Sequence, residues 1–448
     1  MAEVAPFRAF RYNPARVDLA QVVTQPYDKI SPGMQERYYA LNPYNLVRII
    51  LGKHEPTDQT GENVYTRAAD YFQDWRRENI LVQDAQPSIY RYVQRFTPPG
   101  GGSETQRQSF IALGKIEDYA NGVVFRHEQT LARPKADRLE LLRATCAHFG
   151  QIFMLYSDPG EIDGLLQQTQ QPDAEVRDEY GVMHRIWRIS DARLLERICG
   201  SMRDKKLIIA DGHHRYETAL AYRDERRAMS AAAFAGTALG DYSQRGGASP
   251  QTTSHEWVMM TFVNMESPGL LILPTHRVVH GLGSFSADTF RDGASGFFGV
   301  EEVDPAIDAS RATGILREAG HVGAAILAVT KNRAFLLDRP KVTVFNLLTG
   351  FSLRQQALDV VQLHKCLLEN VLEISEEAIR EQRNISYIRD AGEALARVRE
   401  GAANIAFLMN PVRMRQVRDI ALAGEVLPQK STDFYPKLLS GLAIYALE

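Results

Sequence analysis

The spacing of apolar residues predicts a chain that mixes helices and strands. Apolar positions recur at helical spacing over residues 65–78, which predicts an amphipathic helix. Residues 88–96 alternate apolar and polar, and residues 110–116 follow a glycine-rich loop, so the two segments predict a hairpin. Shorter apolar runs predict further strands at residues 152–156, 183–189, 206–210, 257–264 and 406–409. The expected fold class is therefore α+β (mixed α/β).

The last third of the chain predicts its own set of elements. Residues 324–329 and 334–337 predict a hairpin, residues 355–372 a long amphipathic helix, and residues 412–423 another helix. The glycines between residues 236 and 247 predict a flexible connection. We expect two domains, residues 1–270 as a catalytic core with an inserted hairpin, and residues 271–448 as a C-terminal α/β region that completes the site.

Composition narrows the functional classes without choosing one. The 448 residues are 44% hydrophobic and 24% charged, which is ordinary for globular proteins. The net charge of −3 lacks the basic excess of a dedicated nucleic-acid binder. Three widely spaced cysteines predict neither a disulfide framework nor a zinc site. No apolar run approaches the roughly 20 residues that span a bilayer, so we expect a cytoplasmic protein without membrane partners.

The strongest chemical signal is the sequence Asp211-Gly212-His213-His214-Arg215, which follows an apolar strand and precedes a helix. Backbone amides at a helix start attract anions, and glycine lets the backbone approach a phosphate closely. Arginine binds phosphate oxygens in a bidentate manner, and aspartate binds Mg²⁺ or orients a histidine. The alternative is a capping aspartate, a turn glycine and two surface histidines. The combination favours a phosphate site.

A second signal is His127-Glu128, followed by Lys135 and Arg138. A carboxylate beside a histidine is typical of a general base, and nearby cations neutralise a phosphoryl group. The alternative is a polar loop before a helix over residues 138–145, with Asp137 as its cap.

Two further polar segments are weaker candidates for phosphate contacts. The first contains His276 and Arg277, and the second contains Lys430 within Pro428 to Lys437. Lys-Ser-Thr at 430–432 lacks the glycines of a P-loop, which excludes that motif. A transition-metal site at the histidines of the two stronger signals is another alternative, although no close ligand spacing supports it.

These segments resemble a bacterial and archaeal family catalogued as domain of unknown function 1015. The Asp-Gly-His-His-Arg element also resembles the ParB/sulfiredoxin superfamily, which includes the free-serine kinase. The resemblance implies a ParB/sulfiredoxin-like core with a long insertion and an additional C-terminal α/β region. It further implies Glu128 as the base toward a serine hydroxyl, with Asp211 to Arg215 as the phosphate and Mg²⁺ cradle. The longer interval between the two elements leaves the donor open among ATP, ADP and pyrophosphate.

The resulting hypothesis is a kinase that phosphorylates a small free hydroxyl metabolite, with L-serine the leading acceptor. Glu128, Asp211 and His213 would be catalytic, Asp211 would hold Mg²⁺, and the phosphate contacts would come from Gly212, His214, Arg215, Lys135, Arg138, His276, Arg277 and Lys430. A ParB-like nucleotide-binding or nucleotide-hydrolysing switch is the alternative function. A nucleic-acid-binding module is a third reading, which the net charge disfavours, and a homodimer is compatible with each of them.

Overall fold

The computed structural model describes residues 1–129, 133–167, 169–236 and 254–447. Its internal contacts divide the chain into two compact units. Unit 1 comprises Met1–Arg126, Thr130–Leu270 and Pro436–Glu448, and unit 2 comprises His127–Gln129 and Leu271–Tyr435. Both units contain helices and sheets, which confirms the α+β class. None of the described helices combines the length and apolar composition that a bilayer span requires.

The largest sheet of unit 1 has nine strands within the described residues. In sheet order, eight of them are Val124–Arg126, Leu207–Asp211, Ile152–Tyr156, Trp257–Asn264, Thr105–Lys115, Ile89–Phe96, Met183–Ile189 and Ala174–Arg177. The ninth, Val4–Ala5, pairs with Thr105–Lys115. Ile89–Phe96 and Thr105–Lys115 form the predicted antiparallel hairpin. Two-stranded pairs join Phe10–Tyr12 to Leu81–Gln83, and Ala147–His148 to Tyr445–Ala446.

Helices of unit 1 pack on this sheet and around a second apolar cluster. Phe72 and Trp75 are buried on the predicted amphipathic helix, and they lie in one cluster with Phe149 and Ile444. Burying such aromatic side chains contributes about 1.5–3 kcal/mol each. The described α-helices of unit 1 are Leu19–Val22, Pro32–Leu41, Val47–Ile50, Val64–Arg77, Arg133–Thr145, Glu161–Leu165, Ala192–Met202 and His213–Gly236.

Unit 2 contains a six-stranded sheet within the described residues. Its strands, in sheet order, are Gly299–Val303, Ala334–Asp338, Ile326–Val329, Ile405–Met409, His276–Val279 and Ile385–Ile388. Leu271–Leu273 and Asp433–Tyr435 form a separate antiparallel pair. The described helices of unit 2 are Ala287–Ser295, Ala309–Ala319, Val342–Leu347, Leu353–Gln356, Asp359–Gln362, Glu376–Arg380, Ala391–Arg399 and Met414–Leu422, with the π-helical segment Leu363–Val371.

Two predicted helices are wrong in their bounds. The helix expected at residues 355–372 is interrupted because Leu358 adopts an extended backbone, after which Asp359 begins a new helix. The helix expected at residues 138–145 begins at Arg133, so Asp137 lies inside it and does not cap it. The Asp137 carboxylate instead accepts a hydrogen bond from the Tyr65 hydroxyl at 2.9 Å. Most of the predicted flexible connection, residues 237–247, lies outside the described residues.

Candidate active site

The strongest sequence motif lies where a buried strand of unit 1 ends and a long helix begins. The apolar residues of Leu207–Asp211 are buried in the sheet, and His213–Gly236 follows after Gly212. The pairing of this strand with Ile152–Tyr156 shifts register between Ile209 and Asp211, where the strand contains a β-bulge. A bulge re-aims the side chain that follows it. The first amides of the helix have no carbonyl partners within that helix, so this turn suits an anion.

Gly212 and Arg215 form a tightly packed pair at this turn. Gly212 has a φ of +91°, and a Cβ at this position would lie 3.0 Å from Arg215 Nε. Glycine is therefore required both by the backbone conformation and by the guanidinium beside it. The Arg215 guanidinium donates to the carbonyl of Gln151, and its Nη2 donates to Asp211 Oδ2 at 3.2 Å. Arg215 thus holds the turn against the neighbouring strand.

Positive charge surrounds the Asp211 carboxylate. Lys437 Nζ lies 3.8 Å from Asp211 Oδ1. Burial raises the pKa of the Asp211 carboxyl, but Lys437, Arg215, Lys29 and His213 outweigh burial, so this pKa is well below its ordinary value. Asp211 is therefore ionised at neutral pH. With four basic side chains around one carboxylate, the cluster has the electrostatic character of an anion site.

Lys437 reaches Asp211 because buried polar side chains hold its backbone. Gln94 Nε2 donates to the carbonyl of Lys437 at 2.8 Å, and the Arg107 guanidinium donates to the carbonyl of Pro436. Arg107 Nε also donates to Gln94 Oε1 at 3.0 Å. Arg107 is 1% exposed, and this burial lowers its pKa to about 10. A hydrogen-bonded network of this kind fixes the returning C-terminal segment in one place.

Arg138, from the second sequence signal, lines the same small cavity as Arg215. This cavity of unit 1 has a volume of about 70 Å³, and Tyr27, Gly150 and Ser440 also line it. The Arg138 guanidinium lies 4.2 Å from the centre of the Tyr27 ring and donates to the carbonyl of Ile50 at 2.6 Å. Its Nε also donates to Asp137 Oδ2 at 2.8 Å, so the positive charge that Arg138 brings to this cavity is paired with a carboxylate. The side chain of Lys135 lies outside the described residues.

Glu128 belongs to unit 2, where it pairs with a late segment of the chain. The Leu427 amide donates to the His127 carbonyl at 2.8 Å, and the Gln129 amide donates to the Leu427 carbonyl at 3.2 Å. The Lys430 amide donates to Glu128 Oε1 at 2.5 Å, and the Thr432 hydroxyl lies 3.3 Å from Glu128 Oε2. The Glu128 carboxylate is thus oriented by an amide and a hydroxyl, and His127 Nε2 lies 3.9 Å from its Oε2.

His127 supports Glu128 through Thr432. The His127 ring is fully buried, and its Nε2 lies 2.7 Å from Thr432 Oγ1. Where His127 Nε2 carries the proton, it donates to Thr432, whose hydroxyl then donates to Glu128. Lys430 adopts a φ of +57°, a left-handed conformation that is strained for a residue with a side chain. This strained residue places its amide on the carboxylate, an arrangement that is typical of functional sites.

The remaining candidates in unit 2 differ in their exposure. The Lys430 side chain is exposed, and its ammonium forms no ion pair within the described part of the chain. His276 is 4% exposed, its Nδ1 accepts the Met409 amide at 3.2 Å, and burial lowers its pKa to about 4. It is therefore a neutral imidazole at physiological pH. Arg277 is also buried, and its Nη2 donates to the Lys430 carbonyl at 3.1 Å.

The side chains around Asp211 fit a metal only in company with a phosphate. No group of three histidine, cysteine, aspartate or glutamate side chains suited to a metal occurs among the described residues. Asp211 is a single carboxylate that already faces Lys437 and Arg215. Mg²⁺ is commonly held by one or two carboxylates together with substrate phosphates, so one carboxylate suffices where phosphates complete the set.

No local motif assigns a role to Lys437, Lys29 or Thr432. Lys437 and Thr432 belong to the segment Pro428 to Lys437, in which the sequence indicates only Lys430 as a candidate. Their partners lie more than 200 residues away along the chain, so no local spacing indicates them. Lys29 follows Pro26-Tyr27-Asp28 directly, and nothing else in the sequence indicates a role for it.

Sequence comparison finds one family. A family model described as protein of unknown function, DUF1015, matches residues 4–361. The match covers the hairpin, both strong motifs and the first part of unit 2. Among curated proteins, none is significantly similar to this chain.

Solved structures show distant similarity. A conserved hypothetical protein from Pyrococcus furiosus has a TM-score of 0.34 at 12% identity, over 70% of this chain and 87% of that chain. A free serine kinase in complex with AMP has a TM-score of 0.36 at 12% identity, over 73% and 88% of the two chains. C-terminally truncated SbnI from Staphylococcus aureus has a TM-score of 0.34 at 9% identity, over 74% and 85%. These similarities are too distant to assign a role to any residue of this chain.

Proposed function

This chain belongs to the family described as protein of unknown function, DUF1015, and from its site residues we propose that it is a phosphotransferase acting on a small free hydroxyl metabolite. L-Serine is the acceptor we favour, and O-phosphoserine would be its product. The phosphoryl donor is ATP, ADP or pyrophosphate. Phosphoryl transfer depends mainly on positioning and on charge neutralisation, and the chain supplies groups for both.

The observation that carries this proposal is the excess of positive charge at the Asp211 turn. Lys437, Arg215, Lys29 and His213 all act on the single Asp211 carboxylate. The first turn of the 24-residue helix His213–Gly236 adds backbone amides at the same place. Such a site prefers a multiply charged anion to a neutral ligand. We therefore assign the donor phosphates to Gly212, His214 and Arg215, with His213 at the transferred group and Arg138 adding charge from the adjoining cavity.

Glu128 is the proposed base for the acceptor hydroxyl. Its carboxylate accepts the Lys430 amide and lies beside the Thr432 hydroxyl, and these contacts orient it. A base of this kind takes the hydroxyl proton as the bond from oxygen to phosphorus forms and the donor's bridging bond breaks. Lys430 and Lys135 remain candidates for donor charge. We assign no phosphate contact to His276 or Arg277, because both are buried.

Mg²⁺ is the metal that this function implies. When bound with the donor it would neutralise phosphate charge, and Asp211 is the protein ligand we propose for it. Because Asp211 is a lone carboxylate among cations, Mg²⁺ should bind together with the donor and only weakly without it. Titrating the chain with MgCl₂ alone, and then with pyrophosphate present, tests this by calorimetry. Tight Mg²⁺ binding without phosphate would contradict the assignment.

The decisive experiment follows phosphorus by NMR. The full chain is incubated with Mg²⁺, L-serine and one donor at a time: ATP, ADP or pyrophosphate. A new phosphomonoester resonance that matches added O-phosphoserine supports the proposal and identifies the donor. Donor hydrolysis at the same rate with and without L-serine would instead support a nucleotide switch. Repeating the assay with glycerol and L-threonine defines the acceptor class.

A further inference from the structure

A second cavity lies within unit 2, and the proposed transfer reaction makes no use of it. Its volume is about 430 Å³, which is six times that of the cavity at Arg215. Side chains of opposite charge line it, together with polar and backbone groups. The lining residues that matter here are Thr275, Arg277, Asp359, Gln362, Asn410 and Ser431.

Arg277 is a buried cation that makes no ion-pair contact among the described residues, although the nearby Glu128 carboxylate raises its pKa against the effect of burial. It is 2% exposed, and within the described residues it forms no ion pair. Its Nη atoms donate to the carbonyls of Thr275 and Lys430, whereas its Nε has no hydrogen-bond partner among the described residues. Burial lowers the pKa of Arg277 to about 10, so it stays protonated at neutral pH. A buried charge without a counter-charge is costly unless a ligand compensates it.

Two acceptors line the same cavity from one short helix. Asp359 and Gln362 are three residues apart on Asp359–Gln362, a spacing that places them on one helical face. Gln362 is 2% exposed, its Nε2 donates to the Gln356 carbonyl at 2.8 Å, and its Oε1 has no partner among the described residues. Asp359 accepts the Ala325 amide, and Arg413, a second cation of the cavity lining, acts on its charge without forming an ion pair within the described ranges. Both therefore retain capacity to accept hydrogen bonds from a ligand.

We infer that this cavity binds a small zwitterion with the chemistry of a free α-amino acid. Arg277 binds the carboxylate, which supplies an ion-pair partner in direct contact. Asp359 and Gln362 bind the ammonium group, whose hydrogens are donated to the Asp359 carboxylate and to Gln362 Oε1, an acceptor without a partner among the described residues. Thr275, Asn410 and Ser431 contribute the polar lining around these two ends.

Other ligand classes satisfy only part of this lining. A simple carboxylate or phosphate would pair with Arg277 but would meet the Asp359 carboxylate. A monoamine would pair with Asp359 and leave Arg277 without a counter-charge. A neutral sugar would leave both charges uncompensated in a buried site. A molecule that carries both charged groups on one carbon atom compensates them together.

This inference does not depend on phosphoryl transfer. Lys430 nevertheless links the two sites of unit 2, because its amide donates to Glu128 and its carbonyl accepts from Arg277. Binding is therefore measured on the full chain without any phosphoryl donor. Amino-acid binding without any phosphoryl transfer would overturn only the proposed function. Phosphoryl transfer without amino-acid binding in this cavity would overturn only this inference.

The test is isothermal titration with matched ligands. L-Alanine, L-serine and glycine carry both charges, propionate lacks the ammonium group, and ethylamine lacks the carboxylate. We expect the amino acids to bind at least tenfold more tightly than either single-charge analogue. Propionate binding as tightly as L-alanine would overturn the zwitterion assignment, and so would the absence of binding by all five ligands.

Two substitutions separate the two ends of the ligand. Asp359→Asn keeps the Ala325 contact, and we expect it to weaken L-alanine at least fivefold while it strengthens propionate. Arg277→Met should weaken L-alanine and propionate but leave ethylamine unchanged. Asp292→Asn, an exposed site of unit 2 paired with Arg291, is the matched control and should change nothing. If circular dichroism shows that Arg277→Met does not fold, Asp359→Asn alone decides the question. Weaker binding of L-alanine with stronger binding of propionate supports the inference. A change of both affinities in the same direction would overturn it.

Discussion

The two units treat buried charge in opposite ways. In unit 1 the Asp211 carboxylate is surrounded by basic side chains, and its pKa is well below the ordinary value. In unit 2 the Asp359 carboxyl forms no ion pair among the described residues, and burial raises its pKa to about 6. Arg277, the buried cation of unit 2, likewise lacks a carboxylate partner within the described residues, and its pKa is lowered to about 10.

This difference indicates what each region is built to bind. A carboxylate already neutralised by several cations leaves a net positive surface that attracts an anion. In the cavity of unit 2, Arg277 and Asp359 form no ion pair among the described residues, so both charges remain available to a ligand, with Arg413 as a further cation of the lining. Because such charges cost stability in the empty protein, their presence is better explained by binding than by folding. Glu128 differs from both, since an amide and a hydroxyl orient its carboxylate.

Replacing the proposed base should have the largest effect. Glu128→Gln keeps the acceptor for the Lys430 amide but removes the basicity, so transfer to L-serine should fall about 10²- to 10⁴-fold. The affinity for the phosphoryl donor, measured by calorimetry, should stay within about twofold of the unchanged protein. The reason is that the residues proposed to bind the donor phosphates belong to unit 1. The control is Glu425→Gln, another half-buried carboxylate of unit 2, which accepts the Ser352 hydroxyl at 2.7 Å. Retained transfer in Glu128→Gln would exclude Glu128 as the base.

Removing the central guanidinium of unit 1 should have the next largest effect. Arg215→Met deletes a charged donor of the anion site, and charge-assisted hydrogen bonds contribute about 1.5–3 kcal/mol. Donor or pyrophosphate affinity should therefore fall about 10- to 100-fold by calorimetry, while L-alanine affinity in unit 2 stays unchanged. Arg226→Met, an exposed arginine on the same helix, is the control. An equal loss of donor affinity in both variants would show that Arg215 acts only through its charge at a distance and not through direct contact with the phosphates.

The unpaired charge of unit 2 should appear as a dependence of stability on pH. Because the pKa of Asp359 is raised from 3.8 to about 6, its contribution to stability is full below pH 4 and is lost as pH rises through 6. Asp359→Asn should thus raise the free energy of unfolding by about 1–2 kcal/mol at pH 8, allowing for screening at this half-buried position, and by nothing at pH 4. Urea denaturation at both pH values measures the difference. A gain that is equal at the two pH values would contradict the raised pKa.

Local sequence patterns predict the backbone of the Asp211 turn, whereas the charged side chains around Asp211 and Arg277 depend on contacts between distant segments. The apolar run before Asp211 and the glycine after it identify the strand, the turn and the helix start, because these depend on neighbouring residues. Lys437 carries no such signal, since Gln94 and Arg107 place it from distant strands. The surroundings of Arg277 carry no local signal either. The sequence shows the cation, but not that Glu128 acts on it without an ion-pair contact among the described residues.

Replacing Lys437 should have the smallest effect. It tests whether the basic side chains around Asp211 contribute to anion binding through their combined charge. The Lys437 ammonium lies 3.8 Å from Asp211 Oδ1, so it both neutralises that carboxylate and adds to the anion site. Lys437→Met removes one charge of several, at a site where the Lys437 side chain is 9% exposed and that of Asp211 is 24% exposed. The loss corresponds to about 0.5–1 kcal/mol, or a two- to fivefold loss of pyrophosphate affinity. Lys331→Met, at an exposed hairpin of unit 2, is the control. If the loss is electrostatic, it should shrink in 0.5 M salt, since ions also screen charges that are partly open to solvent. A loss that salt does not change would instead mean that Lys437 positions Asp211 through the segment that Gln94 holds, and Gln94→Leu should then reproduce it.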